Sequence, residues 1–136
     1  MIEARANLEE KGKDMHKVKF TIPRAISPEN WASKDPKDYT ADTAEGWRLD
    51  LDPEPLIFWK NPRGFWEIMD PITGRTLSTA EFKSRKEAMK EATYLSERLH
   101  GFKTDEASKE HYAGLAAVTD ALAHELEIIK RGRAES

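Results

Sequence analysis

The feature that most constrains this chain is a run of local signals between residues 65 and 99. Phe65-Trp66-Glu67-Ile68-Met69 reads as a strand, Asp70-Pro71-Ile72-Thr73-Gly74 as a turn, and Arg75-Thr76-Leu77-Ser78-Thr79 as the returning strand. Pro71 presets φ for the corner, and Gly74 can enter the left-handed region at no steric cost. Ser84-Arg85-Lys86-Glu87 then has the pattern of a capping box. Its Ser84 hydroxyl accepts from the Glu87 N–H while the Glu87 carboxylate reaches back to the Ser84 N–H. Ala88, Ala92, Leu95 and Leu99 form one stripe with Met89 beside it, so the spacing predicts a helix over 85–99 that Gly101 stops. A hairpin and an amphipathic helix bury their apolar faces by packing on each other, which points to an α+β domain.

Flanking segments extend this unit. Trp47-Arg48-Leu49-Asp50-Leu51-Asp52 alternates apolar and polar residues as a half-buried strand does. Val18 to Ile22 alternates likewise, and Pro23 is expected to stop it. Leu56 to Lys60 is a short apolar strand, followed by a turn at Asn61-Pro62-Arg63-Gly64. Residues 27–46 hold few apolar side chains, and the expectation is a long acidic loop with one helical turn from Ser27-Pro28. Beyond Thr104, the residues Tyr112, Leu115, Thr119, Leu122, Leu126 and Ile129 recur at alternating spacings of three and four, a heptad-like seam. That seam needs a partner, either the domain itself or a second copy. The reading is thus a small antiparallel sheet of three or four strands packed by one helix, plus a long C-terminal amphipathic helix. Residues 1–16 form a flexible or short-helix tail, 17–103 the sheet and helix domain, and 104–136 the C-terminal helix.

Composition narrows the chemistry. At 136 residues and 15.5 kDa the chain is one domain's worth, and its net charge of −3 announces no nucleic-acid binder. The absence of cysteine excludes disulfide scaffolds, thiolate metal sites and cysteine nucleophiles. No apolar run approaches a membrane span, and the N-terminal residues lack the apolar core of a secretory signal. A soluble, cytoplasmic protein is the expectation. His16, His100, His111 and His124 form no metal-ligand spacing, and no phosphate-loop, dinucleotide or nucleophile-elbow pattern occurs. Asp50, Asp52 and Glu54 would align carboxylates on one strand face, which reads first as a solvated face rather than a cation site. No cofactor, no metal and no catalytic residue is expected.

Charge is uneven. Residues 28–55 carry three basic and eight acidic residues, whereas 56–103 carry nine basic and six acidic. The central unit sets Arg63, Arg75, Lys83, Arg85, Lys86 and Lys90 among Trp59, Phe65 and Trp66, a mixture able to contact phosphates and stack on bases. The run from Trp66-Glu67-Ile68 through Asp70-Pro71-Ile72-Thr73-Gly74 to Phe82-Lys83-Ser84-Arg85-Lys86-Glu87-Ala88 resembles the strand–strand–helix pattern of AP2-like, integrase-arm-type DNA-binding modules. It is also similar to small accessory proteins of phages and mobile elements. The resemblance covers about 35 of 136 residues. It implies a sheet that enters a DNA groove while the helix braces it. The chain departs from that pattern at Glu67 and Asp70, read as exposed acidic hairpin positions where a DNA-facing sheet carries arginines.

Trp31 and Tyr39 lie in the acidic segment where no periodic core position claims them, and aromatics outside a core are favoured as interface anchors. With Asp50, Asp52 and Trp59 they are the candidate partner-binding residues. Tyr112, Leu115, Leu122, Leu126 and Ile129 are the candidates for self-association as a homodimer. The expectation is a non-enzymatic, macromolecule-binding accessory protein that docks on a larger protein or nucleoprotein complex. A phage-encoded inhibitor of a host machine, of the anti-CRISPR type, is one such instance. The alternative is a DNA-binding hairpin–helix module of a mobile element, with an enzyme of unknown class third.

Overall fold

A computed structural model describes residues 15–135, with side chains as far as Ile128. Four antiparallel strands, β1 (His16–Ala25), β2 (Tyr39–Leu49), β3 (Leu56–Lys60) and β4 (Trp66–Met69), form one sheet in the order β1-β2-β3-β4. Three helices follow: α1 (Arg85–Met89), α2 (Ala92–Thr104) and α3 (Lys109–Glu135). The architecture is the expected α+β.

Two expectations about the first hairpin need correction. β1 does not stop at Pro23 but runs on to Ala25, with Pro23 opposite Ala41. Because β1 is an edge strand, a missing N–H on its unpaired side costs no ladder bond. Likewise, 39–46 is not loop. It is the first part of β2, paired residue for residue with β1 from Ala25↔Tyr39 to Lys19↔Glu45. Its exposed Thr40, Asp42, Thr43 and Glu45 bury little, so main-chain pairing orders it rather than its own side chains. Arg24 and Lys17 of β1 pair with Asp42 and Glu45 across the strands. What remains of the loop is 26–38, shaped by two 3-10 turns at Pro28–Asn30 and Pro36–Asp38.

The returning strand 75–79 is reduced to one isolated bridge, Met69↔Thr76, with a second bridge, Trp66↔Phe82, beyond it. The turn itself closes as expected, with Asp70 N–H donating to the Arg75 carbonyl at 2.8 Å. Beyond it the Ser78 hydroxyl accepts from the Ile68 N–H and stands in for a ladder bond. The predicted 85–99 helix is broken into α1 and α2. At Lys90 and Glu91 the N–H groups turn to the carbonyls three residues back, Glu87 and Ala88. That tightening leaves Ala88 and Ala92 both fully buried against the sheet. Ser84 caps α1 as expected, but the Glu87 carboxylate accepts from the Lys83 N–H rather than from that of Ser84. Gly101 lies inside α2, which continues to Thr104.

On one side of the sheet, Ala88, Ala92, Leu95 and Leu99 of α1 and α2 pack on Leu49, Leu56, Phe58 and Ile68. A second cluster gathers Phe20, Ile22, Ile57 and Met69, with the Trp59 ring edge-on to Phe20 at 5.9 Å. In the third, Val118 and Leu122 of α3 pack on Tyr39. The sheet also curls, because the turn beyond β4 reaches β1 at its far edge. Gly74, at φ +66°, lies so close that a Cβ there would stand 1.9 Å from the Thr21 carbonyl oxygen.

Candidate docking surfaces

The expected partner-binding residues divide. Trp31 is 65 % exposed, beside the first 3-10 turn. Its position is fixed from behind: the Trp31 carbonyl accepts from Arg75 Nη1 at 2.6 Å and from the Tyr39 hydroxyl at 3.0 Å. Tyr39, expected as an exposed loop anchor, is 6 % exposed, and its ring packs on α3. The reason is that residue 39 begins a strand facing that helix. Asp50 and Asp52 are exposed, and Asp50 pairs with Arg48. They share no strand face with Glu54, because β2 ends at Leu49 and Glu54 turns inward. Trp59 is half-buried against Phe20, and its indole N–H has no partner among the described residues.

The basic set divides as well. Arg75, expected to face nucleic acid, is an internal brace, with Nη2 on the Tyr39 hydroxyl at 2.9 Å and its guanidinium over the Tyr39 ring. Arg63 pairs with Glu81. Arg85 lies 5.5 Å over the Trp47 ring. Lys83, Lys86 and Lys90 are exposed. Asp70, read as an exposed hairpin acid, is 1 % exposed. It accepts from the Tyr112 hydroxyl and the Thr73 hydroxyl, each at 2.7 Å, and from the Ile72 N–H at 3.0 Å.

The seam of α3 is likewise spent inside the chain. Leu115 and Leu122 are buried, and Tyr112 is tied to Asp70, so these three are not free for a homodimer. Leu126 is partly buried, and the Ile129 side chain lies outside the described residues. Thr119, a polar residue in an apolar register, is buried with its hydroxyl donating to the Thr73 carbonyl at 2.7 Å.

A second polar cluster adjoins Tyr112. Glu54 accepts from Lys103 at 2.7 Å, and its other carboxylate oxygen meets His100 Nδ1 at 3.1 Å. Ser96 fastens the Glu54 main chain through both its N–H and its carbonyl. Burial pushes the Glu54 carboxyl up, but the hydrogen bonds and charges of Lys103 and His100 outweigh it and hold the group below its ordinary value. Burial, followed by the Asp70 carboxylate, drives the Tyr112 hydroxyl well above the ordinary tyrosine range, so it stays protonated as a donor. These groups satisfy one another, and they join the 50–55 segment, α2, α3 and the turn after β4. Among the described residues no cluster of three or more histidine and carboxylate groups is arranged to hold a metal ion. The contacts span more than forty residues of sequence, so no local pattern could have announced them.

What the molecule does present is apolar surface on rigid elements. Tyr94 is 58 % and Phe102 47 % exposed on α2, with exposed Arg98 between them. The spacing i, i+4, i+8 puts all three on one stripe. A cleft of about 200 Å³ opens between Tyr94 and Phe82, and a second of about 200 Å³ beside Phe102 and Leu99. Arg98 borders both, and Leu77 of the irregular segment after β4 walls both. The signal was present in the sequence, on the helix face that flanks the buried stripe. A larger open groove of about 450 Å³ runs between β1 and α3. Among the described residues no helix is long and apolar enough to cross a membrane. No protein-family model, no curated protein and no solved structure matches the chain.

Proposed function

We propose that the protein is an accessory docking module that binds a larger protein through its rigid exterior and acts by occupying that partner's surface, as an adaptor or inhibitor does. The observation that carries this reading is the Tyr94–Arg98–Phe102 stripe with a cleft on either side. Tyrosine and arginine are the residue types that dominate binding energy at interfaces, and large aromatic side chains beside preformed clefts lose little entropy on docking. Arg98 makes no ion pair among the described residues, which leaves its guanidinium available to an acidic group of the partner. Trp31, braced by Arg75 and Tyr39, is a second anchor on a different element. The phage-inhibitor instance adds a biological setting to the same docking chemistry.

The test is site-directed cross-linking. A photoreactive phenylalanine analogue at position 94 is expected to trap one protein in the native host. That adduct should vanish in the Phe102→Ser and Arg98→Ala backgrounds, while circular dichroism and melting stay as in the parent. An adduct indifferent to both changes would remove this face from consideration. The DNA-binding alternative retains Lys83, Lys86 and Lys90 as exposed cations. It requires retention on duplex DNA at about 50 mM salt that falls steeply as salt rises.

A further inference from the structure

The groove between β1 and α3 has the build of a strand-accepting site. Its strand wall is four consecutive residues, Val18 to Thr21. Successive strand side chains point to opposite faces, so a wall made of all four must include their main chain. β1 is the terminal strand of the sheet, and among the described residues its only ladder is with β2, so no described strand pairs with the outer N–H and C=O groups of this edge. Gly74 closes that edge at Thr21, and among the described residues no strand pairs with it from there back to His16.

The opposite wall is Ala116, Thr119, Asp120 and Ala123, at i, i+3, i+4 and i+7 on one face of α3. Three of these side chains are small and the Thr119 hydroxyl is already bound, so the wall stands low and leaves room for a backbone. The floor is apolar, formed by Phe20 and Ile57, and Ile72 stands 46 % exposed at one end. Of the two cations in the lining, Arg48 is paired with Asp50 and Lys19 makes no ion pair among the described residues; Asp120 is the one carboxylate there.

We infer that this groove binds an extended peptide segment of a partner protein, which adds to β1 as a fifth strand beside α3. Main-chain hydrogen bonds to the β1 edge supply its affinity. Apolar residues at alternate positions turn down onto Phe20 and Ile57, and an acidic residue meets Lys19. The site lies apart from the α2 stripe, so it stands or falls independently of the docking face above.

The probe is a short fluorescein-labelled peptide of alternating valine and glutamate, added to the full-length chain. Saturable binding is expected, with amide shifts confined to Val18–Thr21 and Ala116–Ala123. Lys19→Glu should weaken the probe ~10-fold and favour the isomer with lysine for glutamate. Ala116→Trp, which fills the groove from an only partly buried helix position, should abolish binding without changing the melting temperature. N-methylation of alternate probe amides should abolish it on one register only. Four results overturn the inference: no saturation at about 1 mM probe; indifference to N-methylation; binding seen only after removal of residues 1–14, which makes the chain's own tail the occupant; or a concentration-dependent dimer that the probe dissociates, which makes a second copy the occupant.

Discussion

The two helical sides of this molecule are attached by different physics. α1 and α2 are held on the sheet by hydrocarbon, where Ala88, Ala92, Leu95 and Leu99 meet Leu49, Leu56, Phe58 and Ile68, while the polar bonds of Ser96, His100 and Lys103 go to the Glu54 segment and not to the sheet. α3 contributes fewer buried apolar side chains and adds directional bonds. Tyr112 donates to Asp70 and Thr119 to Thr73, and Thr73 itself donates to Asp70. Apolar burial is strong and non-directional, whereas a buried hydrogen bond fixes position and leaves a penalty when one partner is lost. The lesson is that one side sets how stable the domain is, and the other sets where α3 lies. That placement in turn sets the width of the groove along β1.

Substitutions can break this comparison, beginning with the largest effect. Phe58→Ala, at a fully buried position, should cost about 3–5 kcal/mol in denaturant unfolding while leaving α3 in place in the destabilised native state. Asp70→Ala should cost about 3 kcal/mol, because it strands two hydroxyls and the Ile72 N–H at a site 1 % exposed. Unlike the core variant, it should shift the amide resonances of α3. If both variants perturbed α3 equally, the division of labour drawn here would fail.

Thr119→Val keeps shape and removes one bond, so about 1 kcal/mol is expected, with Asp70→Ala and Thr119→Val non-additive in a double-mutant cycle. Glu54 sharpens the picture through pH. Its folded pKa lies below the ordinary 4.5, so its contribution is full above that value and is lost as pH falls through the depressed one. Glu54→Gln should therefore flatten the acid limb of a stability–pH profile below about pH 5 and destabilise at neutral pH. The smallest effect belongs to the docking face. Tyr94→Ser should change stability by under about 0.5 kcal/mol, since the side chain is mostly exposed, while removing the partner contact.

Much of the scaffold was legible from the chain alone. The alternations at Val18–Ile22 and Trp47–Leu49, the turn at Asp70–Gly74, the Ser84 cap and the Ala88–Leu99 stripe all follow from periods of two and 3.6, which are local properties. The apolar register of α3 was legible too, but not its partner, because a seam of leucines fits equally well against a sheet or a second helix. The candidate sites were read less well. Tyr39 and Arg75 read as surface groups from sequence, since neither has apolar neighbours at the right spacing, yet they are bonded to each other inside the fold. Their partners, Val118 and Trp31, lie 79 and 44 residues away.

By itself, then, the sequence determined where most of the strands and helices lie and which face of each is apolar. Those outcomes depend on residues a few positions apart. Only the tertiary structure decided that residues 39–46 become a strand, that Asp70 and Glu54 are internal, and that α3 belongs to its own sheet. Each of these rests on hydrogen bonds or ion pairs between distant segments, whose free energy exists only once chain folding has brought both partners out of water together.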